Sequence, residues 1–243
     1  MVFTYADVAK MIDHSLLNPT LTVADLEEGC RIARAYDVAS ACIMPYYLAR
    51  CAGILAGSGV KASTTIGFPH GGHTTSVKVA EAERALRDGG QELDMVVNIS
   101  QVVSGDWEYV RADIDAVVSV THAAGQKVKV IFENAYLTDG HKIRLCEICG
   151  ELGADWVKTS TGYAPTGATD DDLRLMRAHS PASVQVKAAG GVRTLDRLLE
   201  VRALGVTRAG ATRTIEMLED ARTRLGLVAI QAASAARTRA SEY

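Results

Sequence analysis

Short β-branched or apolar runs alternate with longer amphipathic stretches from one end of this chain to the other, and no other feature restricts the fold as strongly. Strand, long helical connection, strand is the pattern of parallel βα units, whereas segregated sheets and helices would group their strands together. Eight candidate strands lie near residues 11–15, 40–44, 62–67, 92–98, 127–133, 156–159, 184–188 and 207–210. Helical segments fall near 22–35, 77–88, 107–124, 139–152, 170–178, 194–204 and 214–222. In 77–88, Val77, Val79, Ala80, Ala82, Ala85 and Leu86 form an apolar face beside charged Lys78, Glu81, Glu83, Arg84 and Arg87. Several segments open on Asp or Thr at the capping position and stop at glycine, as at Gly89, Gly125, Gly153 and Gly205.

Eight strands with intervening helices in 243 residues predict an α/β fold, a (β/α)8 TIM barrel, whose usual length is about 250 residues. A seven-stranded doubly wound sheet is the competing architecture. No G-x-G-x-x-G follows the first convincing strand, and the informative polar residues cluster at strand C-terminal ends, where barrel sites are built. With no Pro/Gly/Ser-rich linker between the halves, residues 1–243 read as a single domain, and the Ala/Ser/Arg-rich tail 232–243 is expected to be mobile.

A net charge of −3 with 23% charged residues gives no polybasic surface for nucleic acid. The opening residues lack a basic stretch followed by an apolar one, and no run of about eighteen apolar residues occurs, so no membrane partner is expected and a cytoplasmic location follows. The five cysteines, an odd number scattered through apolar segments, read as reduced thiols. Cys146 and Cys149 form a C-x-x-C inside a helical pattern with no second Cys/His pair, and Cys42 reads as a barrel-core residue near a strand end. His70 and His73 share a βα loop without clustered carboxylates or thiols and read as surface or mouth-lining residues and not metal ligands; no metal and no cofactor are expected of the chain.

Two lysines interrupt strand-like runs: Lys158 in Trp156-Val157-Lys158-Thr159-Ser160-Thr161-Gly162 and Lys187 in Val184-Gln185-Val186-Lys187-Ala188-Ala189-Gly190-Gly191. The chain has only eight lysines against eighteen arginines, and a lysine is almost never buried without a partner. Asp94, in Glu92-Leu93-Asp94-Met95-Val96-Val97-Asn98, is likewise a charge inside a buried-strand pattern. If these strands end on one barrel face, the three groups meet in its mouth. One ammonium then disfavours the charge of its neighbour, giving a nucleophilic amine, and the carboxylate moves protons. A structural ion pair between Asp94 and one lysine is the alternative, but such a pair needs only one lysine.

Anion binding has its own candidates. Gly190 and Gly191 follow the seventh strand and Gly210-Ala211-Thr212-Arg213-Thr214 the eighth, where barrels often bind phosphate on loop amides and a helix N-terminus, although glycines there also simply make turns. Arg213 would add a charged fork. Hydroxyls of Thr159, Ser160 and Thr161 would bind substrate oxygens or cap the following segment. Asp13 and His14 are adjacent on a strand, so only one of them can enter the barrel.

Together these stretches resemble deoxyribose-phosphate aldolase, with Ile12-Asp13-His14-Ser15-Leu16-Leu17, Ile66-Gly67-Phe68-Pro69-His70-Gly71, Val77-Lys78-Val79-Ala80-Glu81-Ala82 and Arg208-Ala209-Gly210-Ala211 added to the segments around Asp94, Lys158 and Lys187. They recur in family order from residue 12 to residue 211. The resemblance implies a metal-free class I aldolase that reversibly splits 2-deoxy-D-ribose 5-phosphate into acetaldehyde and D-glyceraldehyde 3-phosphate. Lys158 would be the Schiff-base lysine, Lys187 the cation that lowers its pKa, and Asp94 part of a proton relay. Gly190, Gly191, Gly210 and Thr212 would fall at the phosphate loops. Ala189 and Thr212-Arg213 stand where many members have serines, and Phe132-Glu133-Asn134-Ala135-Tyr136 replaces a commoner Ile-Glu-Thr pattern. The terminal Tyr243 is similar to a family tyrosine that reaches the active site. The implied partners are a small sugar phosphate and aldehydes, and family analogy suggests a homo-oligomer, a dimer. A Schiff-base aldolase for another sugar or keto acid, and a non-catalytic barrel that senses a sugar phosphate, are the competing readings.

Overall fold

The computed structural model describes residues 3–230; the tail 232–243, with Tyr243, lies outside the described residues. Eight strands close into one barrel in chain order: β1 (Ile12–Leu16), β2 (Ser40–Ile43), β3 (Lys61–Ile66), β4 (Glu92–Val96), β5 (Lys127–Ile131), β6 (Trp156–Lys158), β7 (Gln185–Ala189) and β8 (Val206–Ala211). Each pairs in parallel with the next, and β1 pairs in parallel with β8, with Asp13 beside Gly210, to complete the ring. The (β/α)8 expectation is met, and the short, polar first strand is a full member.

The helices are α1 (Tyr5–Ala9), α2 (Val23–Ala35), α3 (Leu48–Leu55), α4 (Thr75–Arg87), α5 (Ile99–Ser104), α6 (Trp107–Ala123), α7 (Asp139–Leu152), α8 (Asp170–His179), α9 (Leu195–Ala203) and α10 (Thr214–Arg224). Their starts follow local chemistry. Thr22 and Asp25 cap α2 reciprocally, Asp106 accepts from the Tyr109 amide at the head of α6, and Thr169 does the same for Asp172 at the head of α8. Gly153 ends α7 in the left-handed conformation, φ 70°. Short α1, α3 and α5 lie outside the expected segments, and two expected strands stop early. Asn98 leaves the sheet to cap α5, and Glu133 takes φ 60°, which ends β5.

Alternate strand residues divide the protein into two interiors. Ile12, Ala41, Ile43, Leu93, Met95, Val128, Val130, Val157, Val186 and Ala188 face outward and join helix residues such as Leu26, Ile114, Leu145, Leu173 and Leu198 in the apolar core. Residues of the other parity fill the barrel, and unlike the usual Val/Ile/Leu layers they are largely charged. Ion pairs from Asp13 on β1 to Lys129 on β5, and from Asp94 on β4 to Lys187 on β7, cross this inner space. Only Asp13 of its dipeptide enters. His14 points out to Thr214 of α10, Nδ1 to Oγ1 2.7 Å.

One helix face differs from its sequence reading. In α4, Val77 is 44% exposed while Lys78 is completely buried, its ammonium 2.9 Å from the Val96 carbonyl and 2.5 Å from the Asp113 carboxylate of α6. Hydropathy alone assigns Lys78 to the wet face; the matching carboxylate across the helix pair brings it inside.

Candidate active site

Four neighbouring strands bring ionic side chains together near the mouth of the barrel: Asp94 on β4, Lys129 on β5, Lys158 at the end of β6 and Lys187 on β7. Parity explains this, since Asp94 is in register with Lys129 and Lys158 with Lys187. Asp94 is the hub. Its Oδ1 accepts from Lys129 at 2.8 Å, and its Oδ2 accepts from Lys158 at 2.8 Å and from Lys187 at 2.7 Å. All four side chains are buried.

A second tier lies beneath. Asp13 contacts Lys187 at 2.5 Å and accepts from Ser40 at 2.7 Å, while Lys129 contacts Glu92 at 2.7 Å. Arg208 reaches both Asp13 and Glu92, holding Glu92 with two nitrogens at 2.9 and 2.8 Å. Trp156 floors the set, with the Arg208 guanidinium 4.9 Å from its ring centroid.

The charge count of this cluster identifies its odd member. Lys129, Lys158, Lys187 and Arg208 face Asp13, Glu92 and Asp94, so the cluster is neutral only when one base has lost its proton. Lys129 touches all three carboxylates, and Lys187 and Arg208 touch two each. Among the described residues, Lys158 pairs with Asp94 alone, on an oxygen it shares with Lys187. Burial, and then the Lys187 charge, accordingly hold the Lys158 amine below the ordinary lysine range, against the pull of Asp94. Lys187 goes the other way: burial opposes its charge, but Asp13 and Asp94 outweigh it and raise its pKa. Asp94 would be raised by burial, yet Lys129, Lys158 and Lys187 hold it well below the usual carboxylate range. The result is one deprotonatable amine between a fixed cation and a fixed anion, an arrangement suited to nucleophilic attack on a carbonyl.

The mouth above is built by βα loops. Thr159 is fully buried, and its hydroxyl donates to the Ala189 carbonyl and accepts from the Ala189 amide, joining the β6 loop to β7. Thr161 donates its hydroxyl and its amide to Glu133. Both hydroxyls are thus engaged within the scaffold. Gly190 and Gly191 make the β7–α9 turn at φ 80° and 90°, and a methyl group on Gly190 would stand 2.7 Å from the Cα of Gly167. Gly210 lies on β8 inside the barrel, where an added methyl would come 3.8 Å from Cε of Lys187, and exposed Thr212 and half-buried Arg213 precede α10. The two anion-binding candidates therefore border Lys187 at adjacent strand ends. His73 sits 3.9 Å from Glu81 and His70 is exposed; among the described residues no group of three or more His, Cys, Asp or Glu side chains could hold a metal.

Sequence reading does not single out Lys129, Asp13, Glu92 and Arg208 as members of this cluster. The available signal is parity: Glu92 and Asp94 are two apart on one strand, and Lys127-Val128-Lys129-Val130 alternates in the same sense.

The family model of DeoC/LacD family aldolases matches residues 7–226. The chain is 70% identical over 229 residues to a deoxyribose-phosphate aldolase of Rhodopirellula baltica, covering 94% of this chain and 95% of the relative. It is 45% identical to the corresponding enzyme of Thermococcus gammatolerans, over 89% of this chain and 97% of that one. Among solved structures, the deoxyribose phosphate aldolase of Aeropyrum pernix, described as a unique tetramer, superposes with a TM-score of 0.83 at 30% identity, covering 91% of this chain and 93% of that one.

Proposed function

We propose, for this chain that belongs to the DeoC/LacD family of aldolases, that Lys158 is the Schiff-base nucleophile of a deoxyribose-phosphate aldolase. The reaction is the reversible cleavage of 2-deoxy-D-ribose 5-phosphate to acetaldehyde and D-glyceraldehyde 3-phosphate. The observation that carries this reading is the shared oxygen of Asp94, on which two buried lysines meet while only one of them has a second carboxylate.

Neutral Lys158 adds to the C1 carbonyl of the open-chain sugar, and loss of water gives an iminium. Its nitrogen accepts the electron pair of the C2–C3 bond as the C3 hydroxyl loses its proton, and D-glyceraldehyde 3-phosphate departs. The remaining enamine takes a proton at carbon, and hydrolysis releases acetaldehyde and the free amine. Asp94, held anionic, receives and returns protons directly or through water, and Lys187 keeps the free amine neutral and donates to the oxygen that leaves. Gly190, Gly191, Gly210, Thr212 and Arg213 bind the 5-phosphate at the ends of β7 and β8. Thr159 and Thr161 shape the intervening loop.

The buried free thiols of all five cysteines support a reducing, cytoplasmic setting. The tetrameric relative supports a homo-oligomer, with a dimer as its smallest form. The functional test is borohydride trapping. Acetaldehyde and borohydride should leave a two-carbon adduct on the peptide containing Lys158, absent in Lys158→Ala. An adduct mainly on Lys187 would reverse the two roles, and no adduct on the folded protein would overturn the proposal.

A further inference from the structure

The loop that follows β6 does not stay on its own side of the barrel. In an eight-stranded ring β6 stands opposite β2, and β1 and β3 flank β2. Tyr163, five residues beyond Lys158, nevertheless touches the loops after both of these strands. Its hydroxyl donates to the Leu17 carbonyl beyond β1 at 2.8 Å, and its ring meets Phe68 beyond β3 edge-to-face, with centroids 5.6 Å apart. Such contacts require the Tyr163 side chain to span the mouth in which Lys158 lies.

The rest of the loop is fixed at both feet. On the β6 side, Thr161 is tied to Glu133, and its hydroxyl also accepts from the Tyr163 amide at 3.0 Å. On the far side, the Ala168 amide donates to the carbonyls of Ala189 and Gly190 at 3.0 and 3.1 Å, and Gly167 packs against Gly190. Gly162 supplies the left-handed bend at φ 95° that sends the chain outward before Tyr163. Residues 161–168 therefore form an arch with Tyr163, a residue 45% exposed, at its crown.

We propose that Tyr163, braced on Phe68 and Leu17, is a specificity-determining residue that limits the length of the aldehyde able to join the Lys158 enamine. This inference rests on the Schiff-base reading above. Edge-to-face packing leaves the apolar faces of Phe68 and Tyr163 as a wall against which a short acceptor fits and a longer alkyl chain collides. The terminal phosphate of the natural acceptor points instead toward the β7 and β8 turns, on the side where the arch is anchored at Gly190.

The test is a competition in the synthetic direction between propanal and hexanal as acceptors for acetaldehyde, with products quantified by mass spectrometry. In Tyr163→Ala the hexanal-to-propanal product ratio should rise about tenfold, the size of a lost apolar discrimination. Tyr163→Phe keeps the stack and loses the hydroxyl that donates to Leu17, so its ratio should move by less. Equal ratios in the wild type and both variants would overturn the wall, as would a uniform loss of both products in Tyr163→Ala. Borohydride trapping on the same wild-type protein reads the Schiff base separately, so failure of the wall and failure of the functional reading give different results.

Discussion

Replacing Lys187 with methionine removes one of the two ammonium groups on Oδ2 of Asp94 while keeping a side chain of similar length. Both amines contact that oxygen, at 2.8 and 2.7 Å, so they lie no more than about 5.5 Å apart. At an effective dielectric of ~20, the repulsion between two charges at that separation is about 3 kcal/mol. Its removal favours protonated Lys158 by roughly a hundredfold, and the charge count works in the same direction. Lys129, Lys158 and Arg208 would then balance Asp13, Glu92 and Asp94 only if Lys158 kept its proton. Because the neutral amine is the nucleophile, activity rises with pH as Lys158 deprotonates, and raising its pKa moves that limb to higher pH. The assay is kcat/KM for cleavage of 2-deoxy-D-ribose 5-phosphate across pH 5 to 10. Lys187→Met should lose about a hundredfold near neutrality and recover part of it in alkali. An unshifted limb with the whole profile lowered would refute the argument, because Lys187 would then act on a later proton transfer and not on the ionisation of Lys158.

Three further outcomes follow from other parts of the molecule. Lys78→Met leaves the Asp113 carboxylate buried with Thr75, 2.8 Å away, as its remaining close partner among the described residues, and should destabilise the protein by about 3–5 kcal/mol in urea unfolding; Lys78→Met with Asp113→Leu should recover most of that loss. Burial pushes the His14 imidazole down from 6.5 to about 4, so the unfolded chain takes up a proton that the folded chain resists. Stability should therefore fall by about 3 kcal/mol between those two pH values, and His14→Gln should flatten that part of the curve in pH-dependent urea melts. Gly190→Ala places a methyl group 2.7 Å from Gly167 at a left-handed backbone position, displacing the proposed phosphate turn; KM should rise for the 5-phosphate while turnover of unphosphorylated 2-deoxyribose changes little in steady-state kinetics.

The barrel is readable from the alternation of strands and helices because each βα unit carries its own local signal: an apolar run, a cap and a stop. Asp94, Lys158 and Lys187 stand out for a related reason, as charges in segments otherwise patterned for burial. Lys129 does not, because a lysine alternating with valine is also the pattern of a half-exposed strand; only closure of the ring turns that face into an interior. Asp13, Glu92 and Arg208 are 79 or more positions apart in sequence, and their partnership exists only through the barrel's cross-section. Lys78 shows the converse limit. A charged residue on a helix reads as solvated unless the opposing carboxylate, here on the next long helix, is already known to face it. Short α1, α3 and α5 span five to eight residues each, too little for a 3.6-residue period to separate from chance.

Lys158 sits below the ordinary lysine range because it is buried and its neighbours hold the available negative charge. The most direct measurement is a side-chain NMR titration of protein labelled at the lysine Cε and Nζ, compared with Lys158→Met to assign the signal. One lysine should deprotonate below the ordinary lysine value of about 10.4, its transition should vanish in Lys158→Met, and it should move upward in Lys187→Met. A Lys158 signal that stays protonated beyond that value in the free enzyme would contradict the account.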